Sequence, residues 1–270
     1  MTADRDHLHA VVHDGDGPFA LVVHGALGSR SYWDDNVAAL QSVCRPVVVE
    51  LWGHGRSPSP ADPERYRPGG YVTEFERLRF RLGADRLWLI GQSLGAALAL
   101  HYVLAHPTRV LGAVITNSSS AFSEPAVWAE RIATLVEDRC RELEAHGVES
   151  LRDSWINPGR SARISPQVRA KLAGEFSEHD AAGLLNTFRL TNAGIPLGER
   201  LGEIAVPVLL TNGTEEGRFQ QLVPAARRIP DLEIVDLPAS HAVNAHDPAG
   251  WNEAVIRFIR QHQTAAAQAQ

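Results

Sequence analysis

The sequence predicts an α/β chain built on a doubly wound, mostly parallel sheet, with a helical cap inserted between two of its later strands. Three observations predict this. Short continuous apolar runs recur at residues 19–23, 46–51, 87–90, 110–116, 206–210 and 232–237, and such runs mark strands buried on both faces. Stretches with helical apolar spacing separate most of them, and strands alternating with helices give a parallel sheet. Between residues 117 and 202 the strand-like runs stop and only helical periodicity remains.

Taken in order, residues 8–13 alternate weakly and suit an edge strand. Asp14-Gly15-Asp16-Gly17-Pro18 is turn chemistry leading into the first buried strand. That strand ends in His24-Gly25-Ala26-Leu27-Gly28. Residues 31–41 then place Trp33, Val37 and Leu40 on one helical face. The strand at 46–51 runs into Gly53-His54-Gly55-Arg56-Ser57 and a proline-rich loop. Residues 70–82 follow as a helix, with Val72, Phe75, Leu78 and Leu82 on one face. In the interlude, helix-like stretches lie near 126–145, 166–176 and 180–190. Residues 251–259 form a closing amphipathic helix, and the Ala/Gln-rich residues 264–270 read as a flexible tail. The expected organisation is a core of residues 1–117 and 202–263, a cap of residues 118–201, and the tail.

Composition narrows the function classes. The 270 residues suffice for one large α/β domain, or one domain with an insertion, and 44% hydrophobic content supports a sizeable core. The net charge of −6 comes from interspersed acids and bases. No basic block suggests nucleic acid, and no polybasic amphipathic helix suggests a membrane surface. The charged start lacks the apolar core of a secretory signal, and His101 interrupts the apolar stretch at 96–105. Cys44 and Cys140 lie far apart and read as packing residues, which fits a reduced, cytoplasmic setting. No His/Asp/Cys cluster has metal-ligand spacing, and no G-x-G-x-x-G follows a strand. Neither a metal nor a dinucleotide cofactor is expected, and the expected partner is a small-molecule substrate.

The most informative stretch is residues 87–100, Leu-Trp-Leu-Ile-Gly-Gln-Ser-Leu-Gly-Ala-Ala-Leu-Ala-Leu. An apolar strand runs into Gly91-Gln92-Ser93-Leu94-Gly95 and then into a helical segment. About one chain in ten of this composition would carry G-x-S-x-G by chance, so the strand–turn–helix context carries the weight. A serine at so sharp a turn crowds the positions two before and two after it, which calls for Gly91 and Gly95. The new helix points its free N–H groups at the serine, where negative charge can develop.

Three further stretches join Ser93: His24-Gly25-Ala26-Leu27-Gly28, Gly213-Thr214-Glu215-Glu216, and Ser240-His241-Ala242-Val243. Together they resemble the α/β-hydrolase superfamily, in which nucleophile, acid and histidine come in that chain order. The resemblance spans nearly the whole chain, including the Gly53-His54-Gly55-Arg56-Ser57 turn and the cap position. It is nearest the cofactor-free branch with helical caps that contains enol-lactonases, carboxylesterases, C–C hydrolases and a menaquinone-pathway lyase. It implies Ser93 as nucleophile and His241 as general base. It also implies an acid after the strand at 206–210, and an oxyanion hole from the Ala26 and Leu94 backbone N–H groups. Counting from Gly213, the family's spacing falls on Glu216, with Glu215 next. Asp236 lies inside a strand, and Asp247 before Pro248 suits a helix start. Three positions depart from the family's usual pattern: Glu216 replaces Asp, Glu50 replaces the Asp before the Gly-His-Gly turn, and Trp52 sits within that turn.

Other residues have plainer roles available. His101 and His106 read as structural, His54 as a turn brace, and His24 as a hydrogen-bonding brace in the oxyanion loop. His246 is the rival base, but His241 directly follows a strand end, where such sheets meet ligands. Trp128 and Trp155 suit either an acyl pocket or cap-to-core packing. The resemblance favours cleavage of a small carboxylic ester, lactone or enol ester through an acyl-enzyme. The alternatives are a C–C hydrolase or lyase on the same triad, and a small-ligand receptor without turnover. A cationic clamp from Arg131, Arg163 and Arg189 would favour the lyase alternative. Serine at the elbow argues against alkyl-ester chemistries of the dehalogenase and epoxide-hydrolase type, which use Asp there.

Overall fold

The computed structural model describes residues 6–268; the expectations for residues 1–5 and 269–270 lie outside them. Seven strands form one sheet: β1 (Ala10–Val12), β2 (Phe19–Val23), β3 (Arg45–Val49), β4 (Leu87–Gly91), β5 (Val110–Thr116), β6 (Val208–Gly213) and β7 (Leu232–Leu237). Their order is β1-β3-β2-β4-β5-β6-β7. Only β1 is antiparallel, pairing Ala10 with Val49 at the sheet's edge. The other pairings are parallel, in register through Val23↔Gly91, Gly91↔Ile115 and Ile115↔Leu210.

The apolar runs explain why both faces are covered. Successive strand side chains point to opposite faces. Leu21, Val23, Leu87 and Leu89 therefore pack on one side with Phe75 of α2 (Pro68–Arg81, after α1, Asp34–Leu40) and Leu98 and Tyr102 of α3 (Leu94–Ala105). Ala20, Val22, Trp88 and Ile90 pack on the other. There they meet Leu40 of α1 and Trp251, Val255 and Phe258 of the closing helix. This two-faced burial is what makes the runs continuous rather than alternating.

Between β5 and β6 the described residues hold helices and no strand: α4 (Ser119–Phe122), α5 (Pro125–His146), α6 (Pro166–Glu175), α7 (Ala181–Asn186), a π-helical turn at Thr187–Thr191, and α8 (Asn192–Gly194). Cys140, Leu143, Phe176, Leu184 and Phe188 form their own small core, which also takes in Leu27 from the loop after β2. Two short helices, α9 (Gly217–Gln220) and α10 (Val223–Ala226), separate β6 from β7, and α11 (Val243–His246) precedes α12 (Pro248–Gln268). The closing helix thus starts three residues earlier than its apolar spacing suggested. It also runs through most of the stretch read as a tail, because alanine and glutamine are good helix formers. Strand β6 is offset from its expected 206–210: Pro207 cannot donate to the ladder, and Thr211 and Asn212 extend the strand as buried polar residues.

No helix among the described residues is long and apolar enough to cross a membrane. Both cysteines are buried and unpaired.

Candidate active site

Strand order reverses about β2, since the chain goes from β2 outward to β3 and then back to β4 on the other side. A crevice opens at such a point outside the strands' carboxyl ends. The loop after β2 and the turn after β4 meet there. Ser93 occupies the tip of the β4–α3 turn with φ 52° and ψ −110°. Only Ser93 and Leu27 among the described non-glycine residues have positive φ, and they belong to these two loops. A Cβ on Gly91 would lie 2.5 Å from the Gly95 carbonyl oxygen, and one on Gly95 would run into the Val23 carbonyl. The two glycines are therefore a packing requirement of the turn. Ser118, just after β5, donates to the Ser93 carbonyl at 2.7 Å and steadies it.

His241 follows β7 and stands beside the serine. Its Nε2 lies 2.9 Å from Ser93 Oγ. Its Nδ1 lies 3.0 and 3.1 Å from the two Glu216 carboxylate oxygens. A carboxylate can only accept, so Nδ1 carries the hydrogen and Nε2 presents its lone pair to the serine hydroxyl. Glu216 follows the turn after β6 and immediately precedes α9. Asn117, the residue after β5, donates to a Glu216 oxygen at 2.9 Å and to the Gly213 carbonyl at 3.0 Å, and accepts from the Gly213 N–H at 2.9 Å. Burial pushes the Glu216 carboxyl up, but the bonds from His241 and Asn117 and the charges of His241 and Arg131 outweigh it, leaving a net lowering.

The competing acids are occupied elsewhere. Glu215 is exposed and pairs with Arg163. Asp236 accepts from Asn212 at 2.8 Å. Asp247 accepts from the Gly250 N–H at 3.1 Å, at the start of α12. The rival histidine, His246, lies 2.9 Å from Ser161 Oγ, and burial, with the Arg163 and His241 charges, pushes it down to about 4. His101 sits 3.4 Å from the Ile195 carbonyl, and His106 packs on the Tyr102 ring.

Ala26 and Leu94 line the same cavity as Ser93. Leu94 is the first residue of α3, so its N–H has no intrahelical partner. The loop that carries Ala26 is braced from beneath. His24 Nδ1 donates to the Gly25 carbonyl at 2.7 Å, while its Nε2 accepts from the Leu51 N–H at 3.1 Å. His54 lies against His24, and His179, from the inserted helices, lies against His54; ring centres are 5.2 and 5.3 Å apart. His179 Nδ1 accepts from the Gly55 N–H at 3.0 Å, and its other nitrogen bonds the Leu27 carbonyl. Burial, then the like charge of His24, pushes His179 down to about 4, so all three rings sit neutral near pH 7. Below them Glu50 is fully buried, accepts from the Arg30 and Arg56 N–H groups, and pairs with His9 and Arg30. Burial raises its carboxyl, but these bonds take it down to about 2. Trp52 is also buried, under the Arg65 guanidinium at 4.3 Å. Glu50 and Trp52 thus fill the positions that depart from the usual pattern without leaving the turn unsupported.

The cavity measures about 830 Å³. Its floor is Gly25, Ala26, Gln92, Ser93, Leu94 and His241, and much of its wall is α5. Trp128, Arg131, Ile132, Leu135, Val136 and Arg139 line it at helical spacing. Trp128 Nε1 donates to the Asn192 carbonyl at 2.7 Å, while Trp155 lies 67% exposed at the wall. Of the three arginines picked out by sequence, Arg131 lines the cavity. Arg163 pairs with Glu215, and Arg189 pairs with Glu144. Asn117, Ser118, His179 and Arg139 were not singled out by sequence. The helical stripe from Trp128 was the available signal for Arg139; the other three act through tertiary contacts.

Residues 21–248 match the family model described as alpha/beta hydrolase fold. The chain belongs to the α/β-hydrolase-fold family. Among curated relatives, a proline iminopeptidase of Levilactobacillus brevis is 32% identical, covering 94% of this chain and 93% of that one. The 2-succinyl-6-hydroxy-2,4-cyclohexadiene-1-carboxylate synthase of Pectobacterium atrosepticum is 26% identical over 90% of this chain and 94% of its own. Among solved structures, the enol-lactonase from Burkholderia xenovorans LB400 superposes with a TM-score of 0.79 at 23% identity, over 94% of this chain and 96% of the other. These relatives share one architecture across different reactions, so the family carries the fold and the substrate must be argued from this chain's own site.

Proposed function

We propose that this α/β hydrolase cleaves a small carboxylic ester, lactone or enol ester through an acyl-enzyme on Ser93. The observation that carries the proposal is the unbroken chain from Ser93 Oγ to His241 Nε2 at 2.9 Å and from His241 Nδ1 to Glu216 at 3.0 Å. Ser93 Oγ attacks the ester carbonyl as its proton passes to His241 Nε2. Glu216 stabilises the imidazolium that results. The carbonyl oxygen becomes an oxyanion that the Ala26 and Leu94 N–H groups stabilise, each such donor contributing roughly 3–4 kcal/mol to lowering the barrier. The tetrahedral intermediate then expels the alkoxide, which takes the proton from His241. Water repeats the sequence on the acyl-serine, giving up a proton to His241 and releasing the acid and the free serine. The inserted helices act as a cap that walls the site and limits water.

The same groups can also serve C–C cleavage or a lyase step. Arg131 in the cavity wall favours that second reading, because such substrates carry carboxylates that a guanidinium stabilises.

A fluorophosphonate probe, located by mass spectrometry, tests the nucleophile. The wild-type chain should take the label on Ser93, and Ser93→Ala should take none and lose about 10⁴-fold or more in ester turnover. An unlabelled Ser93, or wild-type rates in Ser93→Ala, would refute the acyl-enzyme. A panel of short-chain esters and lactones then separates ester hydrolysis from the second reading.

A further inference from the structure

The chain as a whole is negative, at −6, yet its cavity wall is positive. Arg131, Arg139, Arg160 and Arg218 line it, against the single carboxylate of Glu216, which His241 and Asn117 already occupy. The four arginines differ in their surroundings. Arg131 and Arg218 are exposed, and Arg160 bonds Asp153. Arg139 is half-buried on α5, and its Nη2 is sealed from solvent without a hydrogen-bond partner. Glu142 lies one turn further along the helix and Asp138 precedes it, but among the described residues neither pairs with Arg139; Asp138 pairs with Arg141. What Arg139 does touch is aromatic: its guanidinium carbon lies 5.3 Å from the Trp155 ring centre and 5.8 Å from that of Phe188.

These contacts do not balance the burial. A cation over an aromatic face contributes on the order of 0.5–2 kcal/mol. Leaving a charged donor buried without an acceptor costs more than that. Nη2 is the only nitrogen of Arg139 so sealed; the others belong to a side chain that lines the cavity with no carboxylate paired to it among the described residues, and an acceptor that arrives with a ligand can meet them there. The guanidinium's fixed fork suits a carboxylate, whose two oxygens it can meet together. Arg139 shares the cavity wall with Leu135, Val136, Ile156 and Phe188, which suits a carboxylate carried on a short apolar chain.

We propose that Arg139 is an anion-binding subsite that selects substrates carrying a free carboxylate away from the bond broken at Ser93. On this basis the substrate is a monoester, or a lactone, of an acid with a second carboxyl group. The proposal rests on reading the Ser93 cavity as the substrate site, and it assigns Arg139 to recognition of the group that is not cleaved.

Two matched probes test it: 4-nitrophenyl hydrogen succinate, with its free carboxylate, and its methyl-capped twin, 4-nitrophenyl methyl succinate. The wild-type chain should favour the charged ester by about tenfold or more in kcat/KM, as befits a charge-assisted hydrogen bond. Arg139→Met keeps an apolar stem between Trp155 and Phe188 and should bring that ratio close to one; Arg139→Lys should restore part of it. A wild-type ratio near one, or a ratio unchanged by Arg139→Met, overturns the subsite. Binding of monomethyl succinate by calorimetry, with and without Arg139→Met in a Ser93→Ala background, gives a second readout that needs no turnover. A Kd raised about tenfold or more by Arg139→Met supports the subsite even if neither ester is cleaved. An equal Kd in both chains, or no saturable binding in either, overturns it. Loss of ester cleavage and loss of the carboxylate site are thereby distinguishable.

Discussion

Asn117 holds Glu216 by a 2.9 Å hydrogen bond from its side-chain amide, while the same amide spans the ends of β5 and β6 through Gly213. The carboxylate bonded to His241 is therefore held from the end of a neighbouring strand and not only by its own turn. Asn117→Ala should lower kcat by about 10- to 100-fold, since it removes a hydrogen bond to a charged group and frees Glu216 to turn away. It should also reduce stability by about 2 kcal/mol, measured by urea denaturation. Wild-type kcat in a folded Asn117→Ala chain would dissociate this amide from the chemistry.

Glu216 and Glu215 are adjacent but differently engaged, one on His241 and the other on exposed Arg163. Glu216→Gln should cost about 10³- to 10⁴-fold in kcat, because its amide can donate to Nδ1 and so favours the wrong tautomer of His241. Glu215→Gln removes only an exposed ion pair and should stay within about fivefold of wild type. Steady-state kinetics on one activated ester compare the two directly. A larger loss in Glu215→Gln would reassign the acid.

Acid should weaken the fold through its buried histidines. Burial pushes His179 down to about 4 in the folded chain, against the ordinary imidazole value of about 6.5. On acidification the unfolded chain takes up the proton first. The stability from neutral His179 is therefore complete above about pH 6.5 and is lost progressively down to about pH 4, on the order of 3 kcal/mol in all. His179→Gln can still accept and donate but cannot titrate. Its unfolding free energy should fall less steeply between pH 7 and 4.5 than that of the wild type. Parallel curves would mean that His179 is not held neutral by the fold.

Much of this architecture was legible because its strands are buried on both faces. Residues 19–23 show this well, since their expected bounds are those of β2; the bounds of β7 also match residues 232–237, although that edge strand is mostly half-buried. The geometry of the candidate site was legible where backbone crowding constrains local sequence, as in the turn of Gly91, Ser93 and Gly95. It was not legible where a role depends on distant chain segments meeting. Asn117 is an ordinary polar residue until Gly213 and Glu216 arrive beside it, nearly a hundred positions later. His179 is one of twelve histidines with no local pattern around it, and its importance comes from Gly55 and Leu27. Arg163 and Arg189 looked like candidates for a substrate clamp because sequence shows their charge; it does not show that Glu215 and Glu144 already neutralise them.

The backbone at Ser93 has a consequence for how such a chain evolves under heat. A non-glycine residue at φ 52° and ψ −110° stores about 1–3 kcal/mol that a glycine there would release. Ser93→Gly and Ser93→Ala both remove the hydroxyl, but only the glycine gains the freedom. The glycine chain should therefore melt several degrees higher than the alanine chain in calorimetry. Equal melting temperatures would show that the turn is relaxed. Otherwise, with Ser93 as the proposed nucleophile, a library of this gene selected for heat resistance alone would drift toward robust, inert molecules, and activity would have to be imposed as a separate criterion to keep the serine.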